Sequence, residues 1–180
     1  NFVRSHVRIQ RGRNWKNVTP KGLEEGIINS IEISPHDPGK VYITLMRYKF
    51  GDLTPYIYRS ANYGKSWSRL NRGMPNNMFA RVVREDPARE GLLYAGTENG
   101  IYISLDDGRN WQPFQLNLPT VPVTDLTIRN NDLVASTQGR SFWILDDLTP
   151  LHQYSNRLKK SKMHFFKPRP SYRVSGSSSP

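Results

Sequence analysis

The chain has 180 residues, 36% of them hydrophobic and 23% charged, with no cysteine and a mean hydropathy of -0.66. That is the composition of one ordinary domain with a packed core, and it excludes disorder, a collagen-like fibre, disulfides, thiolate nucleophiles and cysteine-ligated zinc. The net charge of +11 sits at the ends, because residues 1–16 and 157–173 hold twelve basic side chains and no acid, leaving the body at -1.

In chain order, the first pattern is a glycine three residues before a tryptophan: Gly12 and Trp15, Gly64 and Trp67, Gly108 and Trp111, with 52 and 44 residues between successive tryptophans. A period of that size marks one supersecondary unit copied along the chain. Trp15 to Tyr42 and Trp67 to Tyr94 are both 27 residues, so the length difference lies later in the copy, as an eight-residue insertion within 46–55. A further copy aligns without gaps at an offset of 40, residues 93–107 against 133–147, with six identities in fifteen.

Within each copy, short runs of alternating apolar and polar residues are separated by Pro, Gly, Asn and Asp, which predicts strands. They fall at 27–33, 41–46, 56–60 and 66–70, then at 81–85, 92–96, 100–104 and 111–115. No helical period with a capping signal precedes residue 150, so the copies read as all-β units of four antiparallel strands, the blades of a propeller. The expected organisation is a partial copy over 1–25, blades over 26–78 and 79–118, and a closing blade over 119–150. After it come a short helix or loop at 151–162, a brief strand at 163–166 and a Pro/Ser-rich linker to residue 180.

Two of the corners extend to a longer pattern: Ser60, Asn62, Gly64 and Trp67, then Ser104, Asp106, Gly108 and Trp111. A short Asp or Asn side chain accepts bonds from turn N–H groups, glycine takes the left-handed conformation, and the indole covers the turn. The pattern resembles the Asp-box or BNR repeat, S-x-D-x-G-x-x-W, of propellers in sialidases, xyloglucan-hydrolysing enzymes and sortilin-type receptors. Asn62 replaces the usual Asp, and the first copy (Arg8, Gln10, Gly12, Trp15) keeps only the glycine and tryptophan. Residues 117–150 resemble the closing blade of large bacterial glycosyl hydrolase-like or sortilin-like proteins, with Gln138 where that group carries His. The resemblance implies a partial β-propeller of about three four-stranded blades, a fragment of a larger ring whose other blades lie upstream. It also implies an exported protein, periplasmic, envelope-associated or extracellular, whose signal segment is not in this chain.

Chemistry is sparse. The pairs Asp106–Asp107 and Asp146–Asp147 read as turn and strand residues, since neighbours on a strand point to opposite faces. The four histidines lack metal-ligand spacing and no serine stands in a G-x-S-x-G elbow, so no metal, cofactor or nucleophilic triad is expected. Fourteen residues after each tryptophan stand Asn29, Arg81 and Asp125, the expected opening positions of three successive innermost strands, which line a propeller's channel. These three are candidate ligand contacts, or residues that merely face channel water. Arg140 is a further candidate, and the insertion offers Tyr48, Phe50 and Asp52 alongside Arg47, for stacking on a sugar, docking a partner or covering the next blade. No catalytic residue is assignable beyond Asp125 as a candidate carboxylate.

The expected function is therefore a propeller module binding a glycan or protein ligand on the ring face, with no nucleic acid and no membrane span. One alternative is a glycoside hydrolase, which requires two carboxylates roughly 5–10 Å apart at the channel mouth. The other is a scaffold whose basic ends dock an acidic partner.

Overall fold

A computed structural model describes residues 6–9, 14–23, 25–155, 158 and 161–170. Among them the chain folds into antiparallel sheets in strict sequence order. A hairpin of β1 (His6–Ile9) and β2 (Asn14–Asn17) comes first. A four-stranded sheet follows: β3 (Ile27–Ile33), β4 (Val41–Arg47), β5 (Asp52–Ser60) and β6 (Ser68–Arg69). The next repeats it with β7 (Ala80–Glu85), β8 (Leu93–Thr97), β9 (Gly100–Ser104) and β10 (Gln112–Pro113). A three-stranded sheet of β11 (Val123–Arg129), β12 (Asp132–Thr137) and β13 (Phe142–Leu145) and the helix α1 (Thr149–Gln153) complete the described elements.

The sheets stack face to face as propeller blades, and the core lies between them. Tyr42 and Ile57 of the first four-stranded blade pack with Leu93, Ala95, Tyr102 and Trp111 of the second. Tyr94 and Ile103, on the opposite face, pack with Val123, Leu126 and Leu133 of the closing blade. Every residue of β8 is consequently buried, which is why its sequence, LYAGT, lacks the charged alternation of a half-exposed strand.

Several expectations are corrected. The insertion is not a plain loop: Tyr48–Phe50 form one turn of 3-10 helix, Gly51 ends it at φ 72°, and β5 already begins at Asp52, so the insertion lengthens the β4–β5 hairpin. The fourth strands are only two residues long, with Trp67 and Trp111 just before the ladder rather than in it. Residues 163–166 form no strand, and the helix begins at Thr149 rather than after 150. Gln10 and Gly12 of the degraded first corner lie outside the described residues.

The two complete corners are built alike. Ser60 Oγ accepts the Gly64 N–H at 2.8 Å and Asn62 Oδ1 accepts the Ser66 N–H at 2.9 Å; Ser104 Oγ accepts Gly108 N–H at 2.9 Å and Asp106 Oδ1 accepts Asn110 N–H at 2.8 Å. Both corners pass through two left-handed residues, Tyr63 and Gly64 at φ 58° and 76°, Asp107 and Gly108 at 61° and 79°. Each indole then reaches backward: Trp67 Nε1 donates to the Val18 carbonyl at 2.7 Å and Trp111 Nε1 to the Leu70 carbonyl at 3.1 Å. Val18 and Leu70 each stand three residues after the preceding copy's tryptophan, so the motif fastens each of the two four-stranded blades to the copy before it.

Glycine at this corner is required twice, by its backbone and by its neighbour, since a Cβ on Gly108 would lie 2.6 Å from Leu70 Cδ1. At Gly51, also left-handed, a Cβ would meet nothing within 4 Å. Gly51→Ala is expected to cost about 1 kcal/mol and Gly108→Ala about 2–4 kcal/mol, the excess being the overpacked interface, read by urea denaturation. Equal costs would show that the corner does not press on the preceding blade.

Candidate functional site

The innermost strands β3, β7 and β11 run side by side, with β7 between the other two. Each slips register against its own partner, between Ile28 and Ser30, Ala80 and Val82, and Val123 and Asp125. A bulge places one unpaired residue at the same level of each strand and re-aims its side chain. Those residues are Asn29, Arg81 and Thr124. Counting from the tryptophans therefore overshoots by one in the closing blade, where Asp125 pairs with Ser136 and Thr124 takes the bulge.

Asn29, Arg81, Thr124 and Asp125 nevertheless line one cleft of about 310 Å³, together with Ser30 and Arg84. Asn29 Nδ2 donates to the Arg81 carbonyl at 2.5 Å, and the Arg81 guanidinium is held by Glu98 at 2.8 Å while lying over the Phe79 ring at 5.1 Å. Arg84 is the hub. Its guanidinium reaches Asp125 at 2.7 Å, the Leu126 carbonyl at 2.8 Å and Glu32 at 3.3 Å, so one side chain of β7 grips both flanking blades. Burial raises the Glu32 carboxyl above its usual value of 4.5, against the opposing pull of the Arg84 charge. Asp125 is 61% exposed and leaves its second oxygen toward solvent as an acceptor.

Arg84 went unnoticed in the sequence because strict alternation puts positions 81 and 84 on opposite faces. The bulge at Arg81 shifts the phase of β7 by one and brings both to the same cleft. The inserted segment approaches without lining it: Tyr48 stacks on Phe79, ring centroids 5.3 Å apart, directly beside Arg81. Phe50 is exposed with the Arg47 guanidinium 5.8 Å from its ring, and Asp52 is held by Arg47 at 2.6 Å and by the Tyr56 hydroxyl at 2.7 Å. Arg140 is exposed on the β12–β13 turn, where its carbonyl accepts the Trp143 indole, and it is not among the cleft residues.

Three carboxylates of the acidic pairs, Asp106, Asp107 and Asp147, serve the fold, while Asp146 is exposed. Asp106 is bound into its corner; hydrogen bonds from Asn110 and Ser104 overcome the raising effect of burial and hold its carboxyl below 3.8. Asp107 accepts the Tyr42 hydroxyl at 2.5 Å and pairs with Arg59 of the preceding blade. Asp147 accepts the Asn131 amide and the Thr149 N–H, both within 3.1 Å. Asp125 is the one carboxylate lining the cleft among the described residues. Among those residues there is also no group of three or more His, Asp or Glu that could hold a metal ion, and no helix long and apolar enough to cross a membrane.

The architecture is that of known propellers. It is similar to YCF48 bound to D1 peptide, with a TM-score of 0.50 and 19% identity, over 75% of this chain and 42% of that one. The GH74 xyloglucanase from Xanthomonas campestris gives a TM-score of 0.57 and 15% identity, over 75% of this chain and 24% of that one. The GH74 enzyme of Niastella koreensis gives 0.52 and 14%, over 67% and 21%. The chain thus spans less than half the length of each. No protein-family model and no curated relative matches the sequence. At these identities the likeness establishes the β-propeller fold.

The inserted hairpin carries a pH signature. Burial raises the Asp52 carboxyl, but the Tyr56 and Thr54 hydrogen bonds and the Arg47 charge outweigh it and hold the pKa at about 2, against 3.8. A depressed carboxylate contributes stability that is fully present above its unfolded value and is lost as pH falls through the folded one. Asp52→Asn should therefore flatten the fall in melting temperature between pH 3.8 and about 2, followed by circular dichroism. An unchanged acid limb would mean that Asp52 is not held by Arg47 and Tyr56 in solution.

Proposed function

We propose that the chain is a non-catalytic module of a larger exported propeller protein, and that it binds a glycan or peptide at the cleft formed by its innermost strands. The observation that carries this reading is the convergence of Asn29, Arg81, Thr124 and Asp125, from three different blades, on one polar concavity. A single exposed carboxylate flanked by amide, hydroxyl and guanidinium groups accepts and donates hydrogen bonds to a polyhydroxylated or peptide ligand. The corners around Ser60 and Ser104 are read as Asp-boxes of the BNR type, kept for blade cohesion rather than chemistry. The remaining blades are expected from the same polypeptide. Export is in keeping with a propeller neighbour described as an extracellular domain.

The non-catalytic assignment rests on charge. Glycoside hydrolysis requires two carboxyl groups flanking one bond, one of them protonated as the acid. Asp125, ion-paired with Arg84, is suited to accepting hydrogen bonds and lacks a second carboxylate on the cleft wall among the described residues.

The test is a panel of polysaccharides and peptides, scored for binding and for release of reducing ends. Binding is expected to weaken roughly tenfold or more with Asp125→Ala and with Asn29→Ala, the folded state of each variant being checked by circular dichroism. Reducing-end release that disappears with Asp125→Ala would replace this reading with the hydrolase. Binding unaffected by both substitutions would move the ligand elsewhere on the protein.

A further inference from the structure

The two corner indoles have the same sequence setting and different fates. Around Trp111 the chain that follows Leu70 folds back over the ring: the Trp111 backbone N–H donates to the Arg72 carbonyl at 2.9 Å, and Gly73 lies so close that a Cβ there would meet the Trp111 carbonyl oxygen at 2.2 Å. Met74 and Met78 close the rest, and Trp111 is 4% exposed. Around Trp67 the corresponding segment, after Val18, instead makes a tight turn, Leu23 N–H to Pro20 carbonyl at 3.3 Å, and leaves the indole half-covered. What remains is a groove of about 510 Å³ at the outer rim, within the range of roughly 300–1,000 Å³ typical of small-ligand clefts.

Its lining is one-sided in charge. Lys16, Lys21 and Lys65, all exposed, stand around Trp67, Asn17 and Ser66, and among the described residues no carboxylate lines the groove. In the sealed corner the residues matching Lys16 and Lys21 are Ser68 and Gly73, so two of the three ammonium groups belong to the open copy alone. Three like charges held around one concavity repel one another, and an anionic ligand removes that cost. An indole beside ammonium groups matches a sugar ring that bears acidic substituents, with its C–H face on the ring and its anionic groups on the lysines. The alternative of an acidic peptide added as a strand is disfavoured, because the adjoining edge strand β6 offers only two residues of ladder.

We propose that this rim groove is a binding site for an acidic oligosaccharide, one bearing uronate or sulfate groups, distinct from the cleft of the innermost strands. The ammonium groups of Lys16, Lys21 and Lys65 take the anionic substituents, the Trp67 ring carries the sugar face, and Asn17 and Ser66 meet hydroxyls.

The experiment titrates the 180-residue chain with an oligogalacturonate, a neutral cello-oligosaccharide of equal length and a poly-glutamate peptide, by calorimetry and by tryptophan fluorescence. The oligogalacturonate alone is expected to bind and to shift the fluorescence. Binding should weaken as ionic strength rises from about 0.1 M to about 1 M, where the screening length falls from roughly 10 to 3 Å. Replacing Lys16, Lys21 and Lys65 together by Gln should weaken it roughly tenfold or more with an unchanged melting temperature, and Lys65→Arg should keep most of the binding that Lys65→Gln loses. Asp125→Ala and Asn29→Ala should leave it intact, which separates this site from the cleft. Equal binding of poly-glutamate would overturn the proposal in favour of an acidic-peptide surface, and tight binding that survives loss of the three lysines, or no binding of the oligogalacturonate, would overturn it outright.

Discussion

The hydrogen bond from a corner indole to a carbonyl of the preceding copy is the contact on which this molecule depends. A blade is a small twisted sheet with two apolar faces and no core of its own, so its position is set by what it packs against. The indole supplies the missing constraint: a large apolar ring buries area at the interface, while its N–H, directed at Val18 or Leu70, fixes the angle and the level at which one sheet meets the next. The left-handed glycine before it lets the corner approach the neighbour closely enough for that bond to form.

Polar groups set the interface as firmly as apolar ones. Between the two four-stranded blades, Lys40 of one blade lies 2.7 Å from Glu90 and 3.9 Å from both Glu85 and Asp107 of the other, while Tyr42 and Arg59 also hold Asp107. Glu85 is fully buried, with one oxygen accepting the Gly91 N–H at 2.9 Å. Removing one member of such a network strands the others without water, so these residues specify one blade-to-blade arrangement over its alternatives. Arg84 does the same on the inner side, binding Glu32 and Asp125 from opposite neighbours. The wall of the cleft and the cohesion of the blades are thus partly the same side chains.

The candidate binding surfaces arise where the copies differ. The structural residues recur: serine, glycine and tryptophan at the corner, a bulge on each innermost strand, an alternating apolar face. The cleft is polar because the bulge position holds Asn29, Arg81 and Thr124 in turn, and the rim groove is open because the chain after Val18 turns where the chain after Leu70 folds back. Repetition provides a frame, and single-copy deviations provide the surfaces proposed to face a ligand.

The repeat period, the alternation within strands and the glycine-to-tryptophan spacing determined the all-β blades, their order and the corners by sequence alone, because these depend on neighbours a few residues apart. Residue spacing also brought Asn29 and Arg81 to their shared level. Only the tertiary structure decided that Thr124 and not Asp125 takes the third bulge, that Arg84 joins Arg81 in the cleft, and that Trp111 is sealed while Trp67 is not. A bulge changes which face a side chain occupies without changing its composition, and whether a ring is covered is settled by the path of a different segment, so neither leaves a mark in the local pattern.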